Sequence, residues 1–222
     1  GVRVIELPWT LEGRLDLTTL DRLLCDEPVQ LVLLSARVSL PSGLVLSTPE
    51  RLAVAQMLER YGCWLLENDT FGELGFTEPQ TALRELVNPE RLIVFSSFEK
   101  VLGSEAPYGY LLSRRMSGEL QRQFLLRSFR LSSIRQRAIA RLCQSGRIDV
   151  HLRALRLQLS QQAQDMCQRL DLHLGEQVAY RPPTAGATFW LGATRAVDMR
   201  QVFQRLLTQQ VVIAPGELFS LS

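Results

Sequence analysis

Along the first half of the chain, apolar residues fall alternately into short continuous blocks and into helical spacings. Val2 to Leu7 reads as a short strand. Leu17, Leu20 and Leu24 share one face of a helix, because side chains three and four apart lie above one another. Val29 to Leu34 is a nearly unbroken apolar run, as expected of a strand buried on both faces. The segment Ser47-Thr-Pro-Glu-Arg51 opens a second helix, with Thr48 as N-cap, Pro49 at the first helical position and Glu50 near the positive end of the helix dipole. That helix runs to about Tyr61 and stops at Gly62. Cys63 to Leu66 and Arg91 to Phe95 are two further buried strands. Strands alternating with helices predict an α/β fold, a mostly parallel sheet with helices on both faces.

The second half is more helical, over Arg114 to Phe124, Ser132 to Cys143 and about Val150 to Leu170. Strands over Val178 to Arg181 and Ala187 to Leu191, a helix over Val197 to Thr208 and a strand over Val211 to Ile213 complete a small C-terminal α+β unit. The expected division is 1–148 for a larger sheet domain and 149–222 for a connecting helix with part of a smaller domain.

Composition narrows the class without naming a function. With 222 residues, 46% hydrophobic, 22% charged and a formal charge of +2, the chain is globular, and no global field argues for nucleic acid. No signal peptide or apolar run long enough for a bilayer is read, so no membrane contact and a cytoplasmic location are expected. Cys25, Cys63, Cys143 and Cys167 are too widely spaced for a zinc site or a disulfide scaffold and are read as buried free thiols. His151 and His173 lack partners at metal-ligand spacing and are read as helix-surface or packing residues. Eleven arginines but two acids, Glu119 and Asp149, lie between Arg114 and Arg156. Either these are solvated helix faces, or they form a surface for a phosphate or a DNA backbone. Lysine occurs once, at Lys100, against 24 arginines. An imine-forming amine is a role arginine cannot take.

Ligands of open parallel sheets bind beyond the carboxyl ends of the strands. Three segments lie at such ends: Ser35 to Gly43, Glu67 to Leu74 and Ser96 to Lys100. Their motifs are Leu40-Pro-Ser-Gly43, Glu67-Asn-Asp-Thr-Phe-Gly-Glu-Leu74, Ser97-Phe-Glu-Lys100 and Ala106-Pro-Tyr-Gly-Tyr110. Further on come Ala185-Gly-Ala-Thr-Phe-Trp190 and Val212-Ile-Ala-Pro-Gly216 with Phe219. In order and spacing this series resembles the fold-type-I pyridoxal phosphate (PLP) dependent transferases. The closest resemblance is to the aminotransferase-like domain of GntR-family transcription regulators of the MocR subgroup. It covers nearly the whole chain and implies PLP as cofactor, with Lys100 as the Schiff-base lysine and Ser97 as a hydroxyl on the cofactor phosphate. Read without the family, Lys100 is a surface lysine and Ser97 a strand-end serine bonding its own turn.

The motifs also depart from the family pattern. Asn68 stands where an aspartate pairs with the pyridine nitrogen, Leu40 where an asparagine bonds the ring oxygen, Phe71 where a tyrosine reaches that oxygen, and Pro107 where an arginine clamps the phosphate. Leu40 and Phe71 are also what ordinary core packing would select. Charge-assisted hydrogen bonds contribute about 1.5–3 kcal/mol against ~1 for neutral ones, so these exchanges weaken both affinity and electronics. Asp69 neighbours Asn68, but strand alternation points it to the other side. Arg114 or another arginine of the basic stretch is the expected substitute on the phosphate.

The resemblance further implies a stretch truncated at both ends relative to the family, without its N-terminal winged-helix DNA-binding domain and without its later substrate-carboxylate arginine. The implied role is binding of a small-molecule effector and homodimerisation in a regulator, with DNA contacted only through that absent domain. The alternative is a PLP-dependent aminotransferase, and a structural remnant is the third reading.

Overall fold

The computed structural model describes residues 1–7, 9–10, 14–76, 81–104, 106–127 and 131–219, so Arg130 of the basic stretch lies outside the described residues. Strands β1 (Leu31–Leu34), β2 (Trp64–Asn68) and β3 (Leu92–Ser97) are parallel and adjacent in that order. A fourth strand, β4 (Gly109–Leu112), adds antiparallel to β3, pairing Ser97 with Gly109. The register sets Leu34 beside Glu67 and Asn68 beside Phe95, which brings the carboxyl ends of the three parallel strands to one rim.

Helices α1 (Leu17–Asp26) and α2 (Thr48–Tyr61) pack together over one face of this sheet. Asp16 caps α1 by accepting from the Thr19 N–H and hydroxyl. Leu20 and Leu24 of α1, Val54 and Leu58 of α2, and Val32, Leu34 and Leu65 of the sheet form the core. Each such buried side chain contributes ~1.5–3 kcal/mol over its exposed state. The cap of α2 is Ser47, one residue before the expected Thr48, so Pro49 falls at the second helical position. The Glu50 carboxylate accepts from both the N–H and the hydroxyl of Ser47, at 2.7 and 2.6 Å, which fixes the start one residue earlier. Gly62 closes the helix at φ +66°, a left-handed conformation that favours glycine.

Three sequence expectations are corrected here. β1 is an edge strand that alternates, with Val32 and Leu34 buried while Leu31 and Leu33 are 45% and 56% exposed. Residues Val2 to Leu7 form no strand, because no neighbouring strand pairs with them, and Val2 and Val4 stand in solvent. Among the thiols Cys63 alone is buried; Cys25 and Cys143 are exposed and Cys167 half-buried, all four free.

Beyond the short helix α3 (Glu99–Leu102) and β4 come α4 (Ser117–Leu126), α5 (Ser133–Gln144) and the 27-residue α6 (Arg147–His173). A small antiparallel pair, β5 (Val178–Tyr180) and β6 (Leu191–Ala193), and α7 (Met199–Thr208) follow. The strand expected over Ala187 to Leu191 thus begins only at its last residue. Gly186, at φ +71°, turns the chain, and the preceding segment docks elsewhere: Gly186 N–H donates to the Leu74 carbonyl and Phe76 N–H to that of Thr184. Val211 to Ile213 carries apolar residues without a strand partner and is not a strand. Among the described residues no helix is long and apolar enough to cross a membrane, and no cluster of metal-ligating side chains occurs.

Candidate functional site

The rim is built from the loops that follow β1, β2 and β3. Lys100 projects from α3 with its side chain 41% exposed. Its Nζ lies 3.3 Å from Glu99 Oε1 and 5.9 Å from the centre of the Phe71 ring. Ammonium over an aromatic face is a favourable electrostatic contact. Two of the expected site residues, Lys100 and Phe71, are therefore brought together although they stand on different loops.

The other expected residues are placed less directly. Asn68 ends β2, and its Oδ1 accepts from the Thr70 N–H at 3.1 Å and the Thr70 hydroxyl at 2.7 Å. A backbone N–H can only donate, so the amide oxygen is fixed towards Thr70 and the NH2 group is what Asn68 has left to offer. Ser97 ends β3; its Oγ accepts from the Glu99 N–H and donates to the Tyr108 carbonyl. That is the local turn bond a strand-end serine makes. Leu40 lies in the turn bridged between Ser39 and Leu44, preceding a cis peptide bond to Pro41, and is 43% exposed. The ion pair and ring contact of Lys100 involve neither Leu40 nor Asn68. Pro107 is exposed between Ala106 and Tyr108. Arg114 turns away to Glu90, 3.5 Å distant, whereas Arg135 on α5 stands over the Tyr108 ring at 5.2 Å, beside Pro107. Of the arginines in the basic stretch, Arg135 therefore stands beside Pro107, whereas Arg114 is paired with Glu90.

Strand alternation correctly turns Asp69 inward, where it is buried. It pairs with Arg37, through the Nε at 2.7 Å and a second, shorter contact, and with Arg84. Glu73 accepts from Arg37 and from Arg156 of α6, each at 3.0 Å, and the Glu73 carbonyl accepts from Arg156 Nε at 2.7 Å. Burial works against the charge on Arg37, but the hydrogen bond and charge of Asp69, followed by Glu73, hold it more firmly protonated than an ordinary arginine. Gly72 is required here: a Cβ would stand 1.8 Å from Asp69 Oδ1. His151 of α6 reaches the Val101 carbonyl with its Nε2 at 2.7 Å.

None of Arg37, Arg84, Arg156 or His151 stands out in the sequence as part of this cluster. The acids of the Glu67-to-Leu74 motif were its one visible signal. Of the described arginines between 114 and 156, Arg114, Arg122 and Arg156 make ion pairs and Arg115 and Arg135 cover aromatic rings. Arg127, Arg137, Arg141, Arg147 and Arg153 stand exposed, as solvated helix faces do.

The profile of aminotransferases of class I and II matches residues 1–222. The chain belongs to the class I and II aminotransferase family. Its fold is accordingly shared with the Thermus thermophilus α-aminoadipate aminotransferase LysN, at a TM-score of 0.86 and 24% identity over 96% of this chain and 56% of that one. The Pyrococcus horikoshii kynurenine aminotransferase aligns at a TM-score of 0.84 and 21% identity, over 97% and 55%. At these identities the likeness concerns the fold alone: the fold-type-I PLP-dependent transferase fold. Among curated proteins, the Escherichia coli HTH-type transcriptional regulator YdcR is 28% identical over 99% of this chain and 47% of its own length. The Staphylococcus aureus HTH-type regulator NorG is 22% identical over 98% and 49%. This aminotransferase-family chain spans about half the length of the curated relatives it matches.

The Thermus structure holds N-(5'-phosphopyridoxyl)-L-leucine and the Pyrococcus one PMP, so PLP is the cofactor against which the site is measured. At the positions that the resemblance assigns to it, the residues present offer it few polar groups. The acceptor oxygen of Asn68 is taken by Thr70, so no acceptor or negative charge is left for a protonated ring nitrogen. Phe71, Leu40 and Pro107 carry no polar side-chain group, and Ser97 Oγ is engaged by its own turn. The amine of Lys100 remains.

Proposed function

We propose that this chain is the aminotransferase-like, effector-binding and dimerising part of a GntR-family transcription regulator of the MocR subgroup, with a PLP site that no longer supports transamination. The regulators among its relatives, matched over nearly all of this chain and half of themselves, support the assignment. In this reading DNA is contacted by a separate N-terminal winged-helix domain, the protein works in the cytoplasm, and two copies associate as a homodimer. Residues 1–148 carry the site and 149–222 the connecting helix and part of the small domain. The observation that supports a loss of catalysis is Asn68, a neutral amide whose acceptor is already spent on Thr70, at the position where the family pattern has the aspartate that pairs with the ring nitrogen.

Absorbance on mixing with PLP, borohydride reduction and peptide mapping test this reading. Weak or absent labelling of Lys100 is expected, with no pyridoxamine phosphate formed when amino acids are added. Steady amino-group transfer would overturn it in favour of a working aminotransferase, the second reading, which rests on the retained, solvent-accessible amine. Asn68→Asp combined with Pro107→Arg should raise PLP uptake at least ~10-fold, the weight of one charge-assisted hydrogen bond. An unchanged double mutant would mean that these loops do not face the cofactor.

A further inference from the structure

Lys100 and Phe71 belong to two loops that no sheet hydrogen bond ties together at the level of these side chains. The Phe71 loop is held by Arg37 and Gly186 and the Lys100 loop by Tyr108, and among the described residues α6 is the one element that grips both. Val101, the residue after Lys100, belongs to a four-residue helix too short to use its own last carbonyls. The Val101 carbonyl instead lies 2.7 Å from His151 Nε2, and since a carbonyl can only accept, that nitrogen carries the proton. Five residues along α6, about 7.5 Å of helix rise, Arg156 holds Glu73 by backbone carbonyl and carboxylate together. Glu73 is two residues past Phe71.

We propose that α6 is a two-point clamp on the Lys100–Phe71 pair, in which His151 and Arg156 are positioning residues that set Lys100 against Phe71. His151 fixes the loop that carries the amine. Arg156 fixes the loop that carries the ring. The gap between amine and ring, and hence the room for any carbonyl-bearing or anionic ligand approaching Nζ, is then set by one rigid helix, not by the two loops themselves.

Lys100 is the chain's only lysine, so the acylation rate of one side-chain amine reports the pair directly. The full chain is treated with trace acetic anhydride across a pH series, and modification at Lys100 is read by peptide mapping. His151→Phe and Arg156→Met remove the grips; His151→Gln and Arg156→Gln keep an N–H donor at each place. No lysine is introduced, which preserves the single-site readout. Arg122→Met, which breaks a surface pair with Glu119 instead, is the control.

His151→Phe should acylate Lys100 about fivefold faster, the weight of one neutral hydrogen bond, and Arg156→Met at least ~10-fold faster, because its lost contacts are charge-assisted. The glutamine variants should return towards the parent and the control should match it. Unchanged rates in both donor-less variants would overturn the clamp. So would equal changes in donor-less and donor-bearing variants, since that pattern follows general loosening. If Arg156→Met does not fold, the His151 pair decides: a His151→Phe rate equal to the parent's, or equal to that of His151→Gln when both have changed, overturns the clamp. Acylation needs no PLP, so failure here leaves the regulator reading intact, and failure of PLP trapping leaves the clamp intact.

Discussion

Glu67 sits in β2 between Leu34 and Val94, with no exposed surface and, among the described residues, no hydrogen-bond partner of ordinary geometry for either carboxylate oxygen. The charged groups near it are Asp69 just past the end of β2, Arg37 after β1, Arg51 on α2 and Arg84 beyond β2. Burial first, and Asp69 second, push its carboxyl up to about 7, while Arg84 and Arg37 pull the other way. An acid whose folded value lies above its ordinary 4.5 holds its proton longer when folded. Stability therefore falls as pH rises from about 4.5 to about 7 and levels off above, by on the order of 3 kcal/mol from this group. Denaturant titrations at pH 5 and pH 8 should show that loss, and Glu67→Gln should flatten it; an equally steep dependence in the variant would assign the effect elsewhere. The orientation of Asp69 was legible from strand alternation, but its arginines were not. Arg37 and Arg84 come from two separate segments, and sequence spacing says nothing about side chains that meet only after the sheet is assembled.

At the scale of elements, periodicity located α1, α2 and the three parallel strands because each has a buried side that demands apolar residues at a fixed repeat. It failed where pairing decides: β4 exists because β3 offers an open edge, and the Val2–Leu7 and Val211–Ile213 runs stay out of any sheet because nothing offers them one. The start of α2 turns on a single carboxylate. Glu50→Ala removes both acceptor contacts to Ser47 and the pairing with Arg14, which is itself 59% exposed and adds little. We expect a cost of ~1–2 kcal/mol, roughly 2–8 °C in Tm, in thermal melts. Glu59→Ala, at the exposed far end of the same helix, should leave the midpoint nearly unmoved, and equal losses in the two variants would contradict the cap.

For the whole molecule, the sheet is covered on the α1–α2 side, whereas the edge strand β1 presents Leu31 and Leu33 on the other. An open edge with exposed leucines invites a second chain to pair with it. Leu33→Glu should lower light scattering in concentrated samples while leaving the denaturation midpoint within about 0.5 kcal/mol. A lost midpoint would instead make Leu33 part of the core. One further property follows from where the chain departs and comes back. It touches the Glu73 loop at Arg156 and returns to that loop at Ala185, where Gly75 pairs with Ala185. The excursion is a bracket with both feet on one sill, so a load on the stretch after Phe71 is shared between them.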